Sequence, residues 1–288
     1  MRRLAVLLGT LVAAPVAAQA PTPVLTLLPP FTRSAALAGA GVALVGDAGS
    51  VFINPSGLAT IKVLSLEAGY SHFPDGSVYT QGAAAFRVEQ FNFGGGIQYL
   101  NFSDTSAVAD NLTWGASAVY RYGLLAIGAS GRYVSVEDTA GTIDRTFTGD
   151  GGVTIAFFDI MALALSVQNI GSHDLSGQGV TLPTTTHLGY TLNFVDPQGT
   201  ARALATIEVV WTEGQGHRTL YGVEGGAVLE GVGLVGRVGY GLPPEGSEER
   251  RWTFGGGVVL GRLGLDYAYQ EQNLFGKHIH RLGLRLTP

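Results

Sequence analysis

Two short patterns in the sequence contain residue types that can perform chemistry. Residues 231–236 fit the Gly-x-Gly-x-x-Gly spacing of dinucleotide-binding loops, which need a strand before the motif and a helix after it. Residues 172–174 are serine, histidine and aspartate, the residue types of a hydrolytic triad. The side chains of a triad must converge in space, which three neighbours on one loop do not do. Residues 231–236 lie within a strand-like segment, so the glycine pattern does not predict a cofactor site. The contiguous residues 172–174 do not predict a catalytic role.

Three histidines are further candidates. His278 and His280 share one face of a strand and could bind a metal ion, but no third ligand lies near them in the sequence. His187 is the best remaining candidate for a Ser–His pair of a membrane hydrolase. No serine on the same face of a neighbouring strand is evident, so a hydrogen-bonded structural histidine is the simpler interpretation. We therefore expect no catalytic residue, no metal and no cofactor.

The composition excludes several other classes of protein. Charged residues make up 14% of the chain, whereas soluble domains usually contain about 25%. The chain has no cysteine, which excludes disulfides, thiolate zinc sites and cysteine nucleophiles. The formal net charge of −5 and the lack of a basic stretch argue against a nucleic-acid partner.

The first twenty residues resemble a secretory signal peptide. Arg2 and Arg3 precede an apolar run over residues 4–16, and residues 18–20 have the small-x-small pattern of a cleavage site. The apolar run is shorter than the span of about 20 residues that a membrane helix needs. We expect residues 1–20 to direct export and to be removed.

Alternation of apolar and small or polar residues dominates the chain from residue 64 onward. This period of two is typical of β-strands, and most segments reach the length of about 9–11 residues that a tilted strand needs to cross a bilayer. The predicted strands cover residues 64–72, 78–88, 90–100, 111–122, 124–136, 148–158, 160–170, 182–194, 201–212, 217–229, 231–241, 251–261, 263–272 and 277–287.

Long and short connections alternate between these segments. The short turns centre on Glu89, Gly123, Asp159, Glu230 and Arg262, while most of the intervening connections are longer. Outer-membrane barrels have short periplasmic turns and long outside loops. The sequence therefore predicts an all-β fold, a transmembrane antiparallel up-and-down β-barrel of about 14 strands formed by residues 64–288.

Several charged residues fall within the predicted strands. An arginine that faces lipid at the bilayer midplane costs about 2–4 kcal/mol. We therefore expect these residues to face the lumen and to pair with one another: Arg121, Arg132, Arg237, Glu208 and Glu224.

Residues 21–63 lack the alternation and form a different kind of segment. Four prolines open it, and a run of small residues follows at positions 38–43. Asn54 can hydrogen-bond the backbone of a turn, Pro55 fixes φ, and Gly57 can adopt a positive φ. A wide barrel has more lumen than its own side chains fill. We therefore expect residues 21–63 to form a plug with residues 38–43 close to the inner wall.

The order of several motifs resembles the PorV/PorQ family within the FadL-like outer-membrane barrels. The N-terminal signature combines a small-residue run, an acidic turn and an aromatic-x-Asn-Pro-small-Gly-Leu motif, and its key positions are Gly39, Gly41, Asp47, Phe52, Asn54, Pro55 and Gly57. Later stretches that resemble the family in the same order are residues 167–171, 182–190, 222–240, 265–269 and 280–282. The resemblance covers nearly the whole mature chain.

This resemblance implies two functions. PorV/PorQ-type proteins are non-catalytic accessory or shuttle components of type IX secretion and bind a protein partner or cargo. FadL-like barrels instead transport hydrophobic small molecules across the outer membrane. An apolar pocket on the lumen side would favour transport, whereas the lumen-facing positions are mostly Gly, Ser and Thr. Outer-membrane lipid is an expected partner in either case. The first function adds secretion-system or cargo proteins, and the second adds a hydrophobic ligand.

Overall fold

A computed structural model gives the fold of the chain. It describes residue 25 and residues 28–102, 110–137, 141–157, 160–171, 174–175, 180–195, 200–243, 252–271 and 278–288. The predicted signal peptide at residues 1–20 lies outside the described residues, as do Ser172 and His173.

Nearly all regular structure in the described residues is β-strand. The strands are β1 (Leu64–His72), β2 (Val78–Val88), β3 (Phe91–Asn101), β4 (Asn111–Tyr122), β5 (Leu125–Glu137), β6 (Ile143–Phe157), β7 (Met161–Ile170), β8 (Asp174–Leu175), β9 (Val180–Thr181), β10 (Thr185–Val195), β11 (Ala201–Thr212), β12 (Gly216–Leu229), β13 (Val232–Leu242), β14 (Trp252–Leu260), β15 (Leu263–Gln270) and β16 (Ile279–Leu286).

Fourteen of these strands close into one antiparallel barrel. Each pairs with its neighbours in the sequence, except that β7 pairs with β10, because β8 and β9 form a separate hairpin. The barrel closes where β1 pairs with β16, with Leu66 opposite Leu286 and His72 opposite His280. Closure satisfies the backbone groups that an open sheet edge would expose to lipid. The predicted fold class and strand number are confirmed.

The predicted strand ends are correct to within three residues, with one exception. Strand β6 begins at Ile143, whereas the sequence predicted a start at residue 148. Residues 143–147 extend the ladder with β5, from Glu137 opposite Ile143 to Tyr133 opposite Phe147. Asp144 and Arg145 interrupt the apolar alternation there, so the extension had a weak sequence signal.

The two faces of the barrel wall differ as the alternation predicted. On β4, the outward Trp114 is 46% exposed while the inward Thr113 is 2% exposed. Leu163, Leu165 and Leu188 are likewise exposed on the outer face, and the inward Ser166 is buried. The outer face is therefore apolar and matches a lipid environment, while the inner face carries small and polar residues.

The tight turns after β2, β4, β12 and β14 lie at one end of the barrel, here named the short-turn end. The connections after β1, β3, β5, β7, β11, β13 and β15 lie at the other end, here named the long-loop end. Glu230 and Gly231 join β12 to β13 with φ of 51° and 83°. Two positive φ angles are typical of the type I′ turn that joins strands through two residues. Residues 231–236, the glycine pattern, thus belong to this turn and to β13, as expected.

Among the described residues, helical structure is limited to those before the barrel. These are α1 (Thr32–Ala35) and the 3₁₀ helices Ala48–Phe52 and Pro55–Thr60. None of the helices among the described residues is long and apolar enough to span a membrane.

Candidate functional site in the barrel lumen

The described residues before β1 pack inside the closed barrel. This N-terminal segment, defined as Leu25 and residues 28–61, contacts inward-facing groups around the wall: Leu25 bonds to Asn111 of β4, Asn54 to Thr154 of β6, and Arg33 to Glu224 of β12. Most of its side chains are buried, including Leu37, Val42 and Leu58.

Glycines on the inner wall make room for this segment. A Cβ atom added at any of nine inward-facing glycines would come closer than 3.0 Å to an atom of the N-terminal segment. These positions are Gly94, Gly96, Gly128, Gly152, Gly189, Gly222, Gly239, Gly255 and Gly283. The predicted close approach of residues 38–43 is part of this fit, since Gly189 faces Val42 and Gly239 faces Ala38. The inner wall is shaped around the backbone of the segment.

The Asn-Pro motif forms a buried polar turn. Asn54 Oδ1 accepts hydrogen bonds from Ser56 N at 3.1 Å and Ser56 Oγ at 2.7 Å. Asn54 Nδ2 donates to Val42 O at 2.8 Å and to Thr154 Oγ1 on the wall at 3.0 Å. Asn54 thereby caps the second 3₁₀ helix, with Pro55 at its first position.

The prediction that Gly57 serves the turn through a positive φ was wrong. Gly57 is absent from the glycines with positive φ. A Cβ there would instead lie 2.8 Å from Ser50 Oγ and 3.3 Å from Leu44 O, so packing requires the glycine. Gly39 does have a positive φ of 93°. Gly41 leaves space for Ile53, and Phe52 stacks on Phe31 with ring centroids 6.4 Å apart.

Wall side chains hold the backbone of the segment. Glu208 accepts hydrogen bonds from Gly41 N at 2.7 Å and Val42 N at 2.9 Å. Ser166 Oγ donates to Ile53 O at 2.9 Å, and Gln168 Nε2 donates to the same oxygen. These backbone groups lie outside the helices and strands, and the bonds satisfy them inside the barrel.

Ion pairs join the segment to the barrel. Arg33 makes a bidentate contact with Glu224, at 2.9 Å and 3.1 Å, and pairs with Asp47 at 2.6 Å. Asp47 also pairs with Arg285 of β16 at 2.9 Å. Burial alone would raise the pKa of Asp47, but the charges of Arg33 and Arg285 outweigh burial and hold that pKa below its usual value. Asp47 is therefore ionised at neutral pH.

The predicted charge pairing is correct for Arg237 and Glu224, whose Nε and Oε2 atoms lie 2.6 Å apart. Glu208 also faces the lumen, but it pairs with His187 at 2.6 Å. His187 lies directly opposite the inward Ser166 of β7, so the expectation that no serine shares its face on a neighbouring strand was wrong, because register between distant strands is not visible in the sequence.

The two remaining arginines have partners outside the predicted set. Arg132 pairs with Asp150 at 2.5 Å. Arg121 lies near the short-turn end and donates to the carbonyl oxygens of Gly123 and Ala59. The prediction that the five charged residues pair with one another was therefore wrong for Arg121, Arg132 and Glu208. The strand register places other partners closer to these three side chains.

The other two candidate histidines, His278 and His280, face outward. His278 Nδ1 lies 2.6 Å from Tyr269 Oη, and His280 Nδ1 lies 2.8 Å from Tyr267 Oη. Within the described residues, no group of three or more His, Cys, Asp or Glu side chains could hold a metal ion.

An apolar cluster occupies the long-loop end of the lumen, which the sequence did not predict. It joins the N-terminal segment to inward residues of the wall and loops. This apolar mouth cluster consists of Leu25, Leu28, Phe73, Tyr79, Leu100, Phe102 and Ile279. The lumen is thus mostly lined by small and polar residues, with a buried apolar cluster at the end where the long loops lie.

A small cavity lies beside the N-terminal segment. It measures about 30 Å³ and lies between the segment and strands β1, β15 and β16. Its lining includes Phe31, Ile53, Arg33, Asp47 and Arg285. An engineered protein cavity that binds benzene measures roughly 150 Å³. A small aromatic molecule therefore does not fit this cavity unless the segment moves.

Comparisons with known proteins give the class of this fold. No family model and no curated protein sequence matches the chain. Among solved structures, the CymD monoaromatic hydrocarbon channel is similar, with a TM-score of 0.64 and 12% identity over 88% of this chain and 96% of CymD. The chain shares the closed-barrel fold of this channel.

Two further structures place the fold more closely. The toluene transporter TbuX from Ralstonia pickettii has a TM-score of 0.62 at 13% identity, over 90% of this chain and 99% of TbuX. A FadL homologue from Pseudomonas aeruginosa has a TM-score of 0.56 at 11% identity, over 89% of this chain and 98% of that protein. The chain has the fold of the FadL-like outer-membrane barrels.

Proposed function

We propose that this protein resides in the outer membrane and transports hydrophobic small molecules, with the N-terminal segment as its plug. The observation that carries the proposal is the apolar mouth cluster, where residues of the segment meet inward-facing residues of the wall. These side chains are 0–8% exposed, so an apolar molecule would meet them once the N-terminal segment shifts at the end of the barrel that faces the outside. The similarity to hydrocarbon channels supports the same interpretation at the level of the fold.

Transport requires the plug to move. The cavity beside the segment is too small for an aromatic ring, so the described conformation is a closed one. The segment is held by ion pairs and hydrogen bonds rather than by covalent links, since the chain has no cysteine. A ligand that enters the mouth cluster and displaces part of these contacts would open a path.

Uptake by cells tests the proposal. Cells that produce the full-length protein in their outer membrane should take up dilute radiolabelled toluene several times faster than cells without it. Entry of glycerol, a polar solute of similar size, should stay at the background rate. A variant that lacks residues 31–60 should admit both solutes, because its barrel has no plug. Unchanged toluene uptake with the full-length protein would contradict transport.

A second candidate is the PorV/PorQ-like role, in which the barrel binds a secretion partner or cargo and passes no small molecule. The filled lumen favours it, because a non-conducting barrel needs no path. Affinity purification from native membranes after cross-linking tests this role. A secretion component recovered with the full-length protein, and lost with the variant that lacks residues 31–60, would support it. Recovery of lipid alone would contradict it.

A further inference from the structure

Three positively charged side chains gather at one place on the short-turn end of the barrel. Lys62 directly precedes β1, Arg87 lies next to the end of β2, and Arg121 lies next to the end of β4. Within the described residues, none of the three forms an ion pair with a carboxylate. These three residues are here named the basic corner.

Strand pairing makes the members of the basic corner neighbours. Arg87 N donates to Val63 O at 3.1 Å, which places Arg87 beside the residue that follows Lys62. Arg121 N donates to Gln90 O at 3.1 Å, in the turn that follows β2. Adjacent strands lie about 4.8 Å apart, so the corner extends over four strands and roughly 15 Å of the barrel rim.

Both arginines of the corner bind main-chain oxygens and keep other donors available. Arg87 Nε donates to Glu89 O at 2.7 Å. Arg121 Nε donates to Gly123 O at 3.3 Å, and its Nη1 donates to Ala59 O at 3.5 Å. The Glu89 carboxylate is the acidic group in the adjoining turn. Three cations beside one carboxylate leave this part of the rim with an excess of positive charge.

The other tight turns that the structure describes lack this accumulation. The turn after β12 contains Glu230, and the turn after β14 contains Arg262. Arg202, at the start of β11, pairs with Glu224 at 2.9 Å. Unpaired positive charge at the short-turn end is therefore concentrated beside strands β1 to β4.

Aromatic side chains cover the outer face of the barrel next to the basic corner. They are 38–47% exposed, and their ring centroids lie 5.2–6.3 Å apart in three contacting pairs. This aromatic cluster consists of Phe86, Phe91, Phe93 and Tyr120. Each arginine of the basic corner directly follows a member of the cluster in the sequence. A cationic rim thus adjoins an apolar surface on the outer face.

The two surfaces together fit one kind of molecule. Arginine binds a phosphate group through its guanidinium fork, and lysine binds it as a point charge. Hydrocarbon chains pack well against the large apolar area of aromatic rings. A free phosphate ion has no part that reaches the aromatic cluster, and an acidic periplasmic protein would cover the rim alone. A phospholipid contacts both surfaces.

We propose that the basic corner and the aromatic cluster bind an anionic phospholipid of the inner leaflet, such as phosphatidylglycerol. The headgroup phosphate lies at Lys62, Arg87 and Arg121, and an acyl chain lies over the aromatic rings. The proposal rests on the residence in the outer membrane proposed above, with the short turns on the periplasmic side. It is independent of whether the barrel transports small molecules.

Lipid titration of the purified full-length protein in detergent, read by native mass spectrometry, tests this site. The probes are phosphatidylglycerol and phosphatidylethanolamine with identical acyl chains, which differ in the net charge of the headgroup. Each Lys or Arg near an anionic lipid surface contributes roughly fivefold in affinity. We therefore expect the wild type to bind phosphatidylglycerol about tenfold or more tightly than phosphatidylethanolamine.

Matched double variants separate the basic corner from general charge effects. Lys62→Gln combined with Arg87→Gln should lose the preference and still bind phosphatidylethanolamine. Both residues are exposed, and the contact of Arg121 with the N-terminal segment stays in place. Arg145→Gln combined with Arg262→Gln removes the same charge elsewhere and should keep the preference of the wild type.

Several outcomes would overturn the lipid site. Equal affinity of the wild type for both lipids, or a preference that survives in the Lys62 and Arg87 double variant, would do so and leave transport intact. Inorganic phosphate that displaces phosphatidylglycerol at equal concentration would show that the hydrocarbon chains contribute nothing. A hexaglutamate peptide that binds more tightly than phosphatidylglycerol would favour an acidic protein instead. Binding of neither lipid would also overturn the proposed residence in a membrane.

Melting temperatures show whether the basic corner serves the fold instead. Without added lipid, the two double variants should melt at the same temperature as the wild type, because the four substituted side chains make no ion pair within the described residues. Phosphatidylglycerol should raise the melting temperature of the wild type and of the control variant only. A fall confined to the Lys62 and Arg87 variant in the absence of lipid would overturn the assignment as a lipid site.

Discussion

The fit between the N-terminal segment and the wall predicts the effect of a single methyl group. Gly239 on β13 faces the lumen, and a Cβ there would overlap backbone atoms of Leu37 and Ala38. Backbone atoms cannot rotate away as a side-chain end can. We therefore expect Gly239→Ala to push the segment out of its seat while the barrel stays closed.

The size of the effect follows from the cost of overpacking. Extra methyl groups in a well-packed core cost about 1–3 kcal/mol. This cost falls on the seated state alone, because an unseated segment no longer meets the new methyl group. The ratio of unseated to seated molecules should then rise roughly 5- to 150-fold.

Conductance across planar bilayers measures this ratio as the open probability of single barrels. Gly236→Ala is the matched control, since Gly236 lies on the same strand and a Cβ there meets no atom within 4 Å. We expect Gly239→Ala to open far more often than Gly236→Ala, and the control to match the wild type. Equal conductance of the two variants would refute the reasoning that the wall glycines hold the segment closed.

Three further results are expected. The closed barrel should migrate faster on a detergent gel before heating than after it, and identical mobility would argue against closure. Leu165→Arg, in the middle of the outer face of β7, should lower the free energy of unfolding in vesicles by about 2–4 kcal/mol. Leu263→Arg, at a strand end, should lower it by only about 0–1 kcal/mol. The pKa of Asp47 is lowered in the folded protein. Its pairing with Arg33 and Arg285 is therefore complete above the ordinary carboxyl pKa of about 4, and it is lost as the pH falls through the lower pKa of the folded state. Acid should therefore raise wild-type conductance in that range, and Asp47→Asn should conduct equally across it.

The barrel could be predicted from the sequence because its signal repeats. A period of two over whole strands decides the face of every residue, as for Thr113 and Trp114 on β4. Short turns such as Glu230–Gly231 mark where the chain reverses. Predictions failed where that signal is interrupted, as at the start of β6, which contains Asp144 and Arg145.

The lumen was less predictable because its contacts depend on register between distant parts of the chain. Position on a strand showed that Glu208 faces inward, but nothing local shows that it accepts the N–H groups of Gly41 and Val42. The mouth cluster likewise combines Leu28 with Ile279, and no sequence window contains both.

The closing seam between β1 and β16 also sets an order for folding. Pairing of Leu66 with Leu286 brings together strands from the two ends of the barrel, and Asp47 meets Arg285 across 238 residues of sequence. Loop closure over such distances is slow. The bulky side chains of Phe31 and Phe52 are buried against the inner wall of the barrel. A segment that docks early carries partners for β12, through Arg33 and Glu224, and for β16, through Asp47 and Arg285, and so favours closure without being required for it.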